Sequence, residues 1–363
     1  MLTNSNPIPK NLSRPLVKDS PQHMRSAIPG EKFADLWSAI VRGDKILLTG
    51  TYGFAMSFYA WLKKRIASEY PVHNYKQARL YREAWYQYNQ HVFIGVKNHK
   101  VELDKSVQNP WFEIFYPDKD HFLITFSDYL GLNGAWQWHV KGIQYPMLKH
   151  KIHPFYGAYF PTRHEHLSLF DQWLSEQTKP KRLLDIGTGC GVLSFIAYAQ
   201  GIANVHATDI NPNAIHSLHG DLNRLGEAYR QSIRAEENSF FGSFEGTSND
   251  LVVFNPPWLP GKVEKTLDEA CYFQQGFFDS FFKALDASCN KGTTIALLFS
   301  DYALASGQTS EHPISSAIET HDHMVDMLDH ISRPVRQSPA KGKGWLDNIR
   351  NKENVELYVL RKK

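Results

Sequence analysis

The sequence predicts an α/β chain: a seven-stranded Rossmann-like sheet over residues 151–363, preceded by a separate α+β domain over 31–150 and a flexible arm over 1–30. Three observations carry this prediction. Leu183-Leu184-Asp185-Ile186 runs into Gly187-Thr188-Gly189-Cys190-Gly191, a strand closed by a glycine-rich turn, with the helical run Val192–Ala199 behind it. Leu251–Phe254 is a short continuous apolar run, as a strand buried on both faces presents. Asn255-Pro256-Pro257-Trp258 ends that run, because a prolyl-prolyl step has no donor with which to continue a central strand. Around these two motifs, helical and strand-like segments alternate, as βαβ units require.

The bulk numbers fit two domains. At 363 residues the chain exceeds one ordinary domain, and a 42% hydrophobic fraction with 22 Phe, 17 Tyr and 9 Trp supplies a large core. The formal charge of +3 is unevenly spread: residues 1–150 and 331–363 are net basic and 151–330 net acidic. The acidic middle suits a cationic cofactor, while the basic ends face either solvent or an anionic partner. Cys190, Cys271 and Cys289 are odd in number and too far apart for a zinc motif, which fits a reducing compartment. No basic-then-apolar signal opens the chain, and the apolar stretch Tyr52–Leu62 is too short to span a bilayer. The expectation is a soluble, cytoplasmic protein without membrane contact.

Taken in order, residues 1–30 are rich in Pro, Ser, Asn and Lys without apolar period and read as an arm or strap. Glu31–Ser68 reads as helical, since Phe33, Leu36, Trp37, Ile40 and Val41 recur at three and four. Tyr75–Asn89 is a second helix, whose Tyr81, Trp85 and Tyr88 stripe is core packing rather than base stacking. Strands are expected at His91–Leu103, Trp111–Tyr116 and His121–Phe126, with a turn at Pro117–Asp120. The glycine-broken Leu130–Trp138 reads as a loop or hairpin corner. Pro154, Gly157 and Pro161 mark the join to the second domain, and a helix runs from about Pro161 to Trp173.

Strand Val205–Asp209 ends in an acid, the usual partner of a ribose diol. Asn211-Pro212 caps a helix to about Leu225. Strands near Ser232–Ala235, at Thr293–Phe299, Met324–Ile331 and Val355–Leu360, and helices Leu267–Ser288 and Ile314–Thr320, complete the set. The last strand is expected to run antiparallel.

The chemistry concentrates at two strand ends. The glycines allow positive φ and close approach to a ligand. Asp185, just before them, would repel a pyrophosphate but suits a cofactor carrying an ammonium and a sulfonium. Asn255, the Pro256 carbonyl and the Trp258 face are suited to gripping a planar NH2 and presenting its nitrogen to an electrophile. His321 and His323, with Asp322 and Asp326, form a solvated strand start rather than a metal site, and the chemistry requires no metal.

Together these motifs resemble a class I S-adenosylmethionine-dependent methyltransferase, within the Asn-Pro-Pro-aromatic amino-methyltransferases, and in particular the HemK/PrmC-like "small-domain" enzymes. The resemblance covers roughly residues 155–300. It implies S-adenosylmethionine as cofactor, with Asp185, Gly187, Thr188 and Gly189 along its methionine part and Asp209 on the ribose. Phe240 would lie over the adenine, and the Asn255 backbone would touch the cofactor. Asn255, Pro256, Pro257 and Trp258 would bind substrate, with Asn255, Pro256 and Trp258 taking part in catalysis. The family carries an acid to the adenine where this chain has Ser239. Glu165 in Pro161-Thr162-Arg163-His164-Glu165 either closes over the cofactor, as the resemblance implies, or is a helix N-terminal acid.

The substrate is expected to be a protein glutamine, or else an exocyclic amino group of an RNA or DNA base. A nicotinamide oxidoreductase would explain the glycine turn but leave Asn-Pro-Pro-Trp without purpose. A catalytically silent binding module would not need Asn255.

Overall fold

The structure, a computed structural model, describes residues 11–19, 24–262, 270–335 and 349–363. The chain divides into two compact units, Met1–Gln137 and Trp138–Lys363.

The first unit is built on β1 (Val17–Lys18), β2 (Met24–Ala27), β3 (Lys45–Leu48), β4 (Val92–Lys97), β5 (Lys100–Val101) and β6 (His121–Thr125). Its sheet runs β1-β6-β4-β3-β2, with β5 folded onto β4; β2, β3 and β4 are parallel, and β6 and β1 are antiparallel. Helices α1 (Phe33–Val41), α2 (Tyr52–Glu69), α3 (Tyr75–Asn89), α4 (Trp111–Phe115) and the start of α5 (Phe126–Lys141) accompany it.

Four expectations for this unit are corrected. The arm, in its described part, is not a loose strap: Val17 pairs with Ile124, and Met24–Ala27 lies along Lys45–Leu48; residues 1–10 and 20–23 lie outside the described residues. The long helix over Glu31–Ser68 is broken by β3, because Ile46 and Leu48 bury on a sheet face. Trp111–Tyr116 is a helical turn, not a strand, since Trp111, Phe112 and Phe115 bury at helical spacing. Leu130–Trp138 lies inside α5. There Tyr129, Leu132 and Asn133 are buried while Gly131 and Gly134 face open space. Burial of that stripe outweighs the cost of about 1 kcal/mol per helical glycine.

The second unit contains a pairing of β7 (Ile143–Gln144) with β8 (Lys151–Ile152), then α6 (Glu165–Glu176), β9 (Arg182–Ile186), α7 (Val192–Ala199), β10 (Val205–Asp209), α8 (Pro212–Leu225), α9 (Glu227–Ser232) and β11 (Ile233–Glu237). There follow β12 (Asp250–Phe254), β13 (Leu259–Pro260), β14 (Tyr272–Phe273), α10 (Phe277–Ser288), β15 (Thr294–Ser300), α11 (Tyr302–Ala305), α12 (Pro313–Thr320), β16 (Val325–Pro334) and β17 (Asn354–Lys362). The seven-stranded sheet has the order β11-β10-β9-β12-β15-β17-β16. Its first five strands are parallel, and β17 runs antiparallel between β15 and β16.

This is the class I methyltransferase sheet expected from the sequence. Strand order runs outward one way from β9 and the other way from β12, so the crevice at their carboxyl ends is the topological switch point, where such sheets bind ligands. Two apolar clusters fill the sheet's faces. The helix expected from Leu267 is described only from Phe277, because Gly276 (φ 81°) starts it and Tyr272–Phe273 pairs with β13 instead; residues 263–269 lie outside the described residues.

Candidate active site

β9 ends at Ile186, and the chain turns through Gly187 (φ 63°), Gly189 (φ 55°) and Gly191 (φ 85°), a region that favours glycine. At Gly189 a Cβ would stand 2.7 Å from the Tyr159 carbonyl oxygen, the same oxygen that accepts the Cys190 amide at 2.8 Å. Asp185 lies wholly buried beneath the turn. Its Oδ2 accepts from Thr188 Oγ1 (2.6 Å), Ser194 N (3.0 Å) and Ser194 Oγ (2.7 Å), tying the turn to the first coil of α7. Its Oδ1 has no hydrogen-bond partner among the described residues. Burial pushes the Asp185 pKa up to about 6 against the pull of those bonds. Cys190 is buried and its thiol is pushed up to about 12 by that burial, which makes it packing rather than a nucleophile.

At the end of β10, the Asp209 carboxylate is held by two backbone amides, Gly189 N on Oδ2 and Asn211 N on Oδ1, each at 2.9 Å. An ionised carboxylate is an acceptor only, the complement of a diol's two O–H donors. Asn211 caps α8 as expected, accepting from Asn213 N at 3.0 Å.

The sequence reading missed a strap over this turn. Residues 153–160 are fastened to one side of α8: Asp221 Oδ2 accepts His153 N (2.8 Å), Ser217 Oγ accepts Phe155 N (2.9 Å), and Asn213 donates to the Tyr156 carbonyl (2.7 Å). Asn211 Nδ2 then donates to the Gly157 carbonyl at 2.8 Å. The strap places Tyr159 on the cavity wall. A legible signal existed: Asn213, Ser217 and Asp221 stand at i, i+4 and i+8, a polar stripe on one helix face, and all three are buried.

The loop after β11 carries Asn238, Ser239 and Phe240. Phe240 adopts a positive φ of 46°, unusual for a bulky residue, and its carbonyl accepts the Thr208 hydroxyl. Its ring meets Phe254, Phe277 and Phe281. At the end of β12, Asn255 Oδ1 accepts the Trp258 indole N–H at 3.0 Å.

One cavity of about 230 Å³ gathers these parts: Gly187, Gly189, Asp209, Phe240, Asn255 and Pro257 line it. Tyr159, Ile210, Asn211, Asn238, Ser239 and Phe277 also stand on its wall. Asp185, Thr188, Pro256 and Trp258 are not on it. Asp185 and Thr188 shape the turn from below, and Trp258 packs into the apolar clusters rather than offering a stacking face to the cavity. Glu165 is also off the wall; it opens α6 and its carboxylate accepts the His164 amide at 3.1 Å. Among the described residues no group of three or more His, Cys, Asp or Glu is placed to hold a metal, and no helix is long and apolar enough to cross a membrane.

The cavity fits S-adenosylmethionine on its own geometry. A cradle at Gly189 excludes any Cβ, a carboxylate preset by backbone amides stands at the end of β10, an aromatic flanks the Asn238–Ser239 loop, and an unpaired buried carboxylate oxygen lies under the turn.

Comparison with known proteins agrees. A family model described as methyltransferase small domain matches residues 168–272. A Methanocaldococcus jannaschii protein, provisionally described as a protein N5-glutamine methyltransferase, is 27% identical over 160 residues, 42% of this chain and 75% of its own. A release factor glutamine methyltransferase of Bacteroides thetaiotaomicron is 33% identical over 116 residues, 31% of this chain and 40% of its own. A tRNA1(Val) (adenine(37)-N6)-methyltransferase of Edwardsiella ictaluri is 25% identical over 175 residues, 46% of this chain and 67% of its own. The described part of residues 1–137 forms a sheet of its own, before the matched segment begins. The sheet order, the glycine turn and the matched segment agree: residues 168–272 are similar to the methyltransferase small domain and lie on the sheet of a class I S-adenosylmethionine-dependent methyltransferase.

Proposed function

We propose that this protein methylates a planar amino or amide nitrogen, with the side chain of a protein glutamine as its substrate. The observation that carries this reading is that Asn255 and Pro257 open into the same cavity as Gly187, Gly189 and Asp209. Bound S-adenosylmethionine supplies a methyl group on a positively charged sulfur. The chain's own residues do the rest.

An amide nitrogen is a poor nucleophile because its lone pair is delocalised, and it must move toward sp3 geometry as the methyl arrives. The free lone pair of Asn255 Oδ1 accepts one substrate N–H. That acceptor fixes the nitrogen's geometry and stabilises the positive charge that grows on it. The proton leaves afterwards to water, so no strong base is required. Holding nitrogen and methyl carbon at about 3–3.5 Å supplies much of the rate. On the cofactor side Asp209 takes the ribose hydroxyls and Phe240 the adenine. Ser239 takes the position where the resemblance implies an adenine-binding acid.

Glutamine is favoured by two of the relatives described above, each described as a glutamine methyltransferase. A base amino group is the second reading, favoured by the Edwardsiella relative and by the net basic first 150 residues. The test is tritium transfer from labelled S-adenosylmethionine into an extract of cells lacking this gene, followed by protease or nuclease. Label released by protease supports glutamine, and label released by nuclease replaces it with a base. No transfer by a protein that binds the cofactor would overturn the reading. Asn255→Ala should lower transfer by at least about 100-fold while sparing cofactor affinity.

A further inference from the structure

We propose that Trp258 is a positioning residue: its indole N–H holds the Asn255 side-chain oxygen in one orientation, and His166 seats the indole from behind. This rests on the reading that Asn255 grips the substrate nitrogen. The two ends of an asparagine amide have nearly the same shape, so an unrestrained Asn255 can present either its oxygen or its NH2. Only the oxygen can accept a substrate N–H. An indole nitrogen is a donor and nothing else, so the 3.0 Å contact from Trp258 Nε1 selects the oxygen and leaves its second lone pair free.

The indole is itself fixed. It packs partly buried against the apolar clusters on both faces of the sheet. His166 of α6, 2% exposed, meets it edge-on, with ring centroids 5.2 Å apart and planes at 86°. Neither His166 ring nitrogen has a hydrogen-bond partner among the described residues. A buried imidazole without partners is costly to keep, and here its visible contact is the Trp258 ring. Burial holds its pKa down to about 3, so the ring beneath the indole is neutral. The aromatic of Asn-Pro-Pro-Trp thus acts through Asn255 and not by stacking on the substrate.

The test is Trp258→Phe, which keeps the aromatic body and removes only the N–H. In the tritium-transfer assay, with extract of cells lacking the gene as acceptor, the maximal rate should fall about 10- to 100-fold, the cost of a misplaced reacting group. The extract concentration for half-maximal rate and the S-adenosylmethionine Kd should each stay within about threefold of wild type. An unchanged maximal rate, or a loss confined to half-saturation, would overturn the proposal and restore a stacking role. A second measurement needs no Trp258 variant. In 15N-tryptophan-labelled protein, Asn255→Ala should shift one of the nine indole N–H resonances and speed its hydrogen exchange; nine unmoved resonances would overturn the clamp. If wild type transfers no label while that indole responds to Asn255→Ala, the proposed function fails and the clamp stands.

Discussion

Asp185→Asn isolates an uncommon feature, a carboxylate in the central strand of the sheet with one oxygen accepting three hydrogen bonds and the other bare. Burial raises its pKa from 3.8 to about 6 in the folded protein. A raised folded pKa means the folded state binds the proton more tightly than the unfolded chain. The stability from that proton is therefore present in full below about pH 4 and lost as pH rises through about 6. Two pH units at about 1.4 kcal/mol each make the ionised group cost about 3 kcal/mol above pH 6.

Asparagine keeps all three bonds on its single oxygen and cannot ionise, but sets an NH2 where Oδ1 was, which costs about 1–3 kcal/mol if unpaired. These terms nearly cancel at neutral pH, so the informative quantity is the pH dependence. Urea unfolding of both full-length proteins should show wild type losing about 2 kcal/mol relative to Asp185→Asn between about pH 4.5 and 7.5. A difference that stays flat across that range, or changes in the opposite sense, refutes the account of Asp185 as a desolvated acid.

Gly189→Ala should cost about 1–2 kcal/mol for the positive φ alone, and the new Cβ must push Tyr159 away. Titration calorimetry with S-adenosylmethionine should show at least about a tenfold loss of affinity. Asp221→Ala removes the acceptor for His153 N and the partner of Arg224; it should free the strap and speed amide exchange over residues 153–160, read by hydrogen-exchange mass spectrometry. Arg182→Met leaves the buried Asp250 carboxylate, now paired at 2.6 Å, without its cation. It should lower stability by about 3–5 kcal/mol at neutral pH in urea unfolding. The loss should shrink as acid protonates Asp250, whose pKa is held low by Arg182 and Thr247 despite burial.

The second unit was legible because its signals are local. Leu183–Ile186 and Leu251–Phe254 are strands buried on both faces, and glycine and proline punctuate them where the sheet ends. Sequence order then set the switch point. The first unit was not legible. Trp111–Phe115 and Leu130–Trp138 are aromatic or glycine-broken segments whose helical state is decided by which side chains bury, and that depends on distant chain. The site splits in the same way. Gly187, Gly189, Asp209, Phe240 and Asn255 could be placed on one cavity from motif order alone. Tyr159 could not, because a strap is recognised only by the helix it bonds to. Trp258 was read as a face because its ring is conspicuous, whereas its place depends on one donor atom and on His166 of another helix.

The position of β17 bears on how the chain is made. This strand follows its sheet neighbours in the sequence, yet it lies between them, pairing with β16 and closing the free edge of β15 among the described residues. A nascent chain that has just released Ser300 therefore carries an apolar strand, Thr294–Ser300, with one side unpaired. About 50 residues separate it from β17, so at about 5–20 residues per second the ribosome leaves that edge open for about 3–10 s. For those seconds the cofactor turn and the Asn255 strand end already exist in sequence, but the sheet beneath them is two strands short.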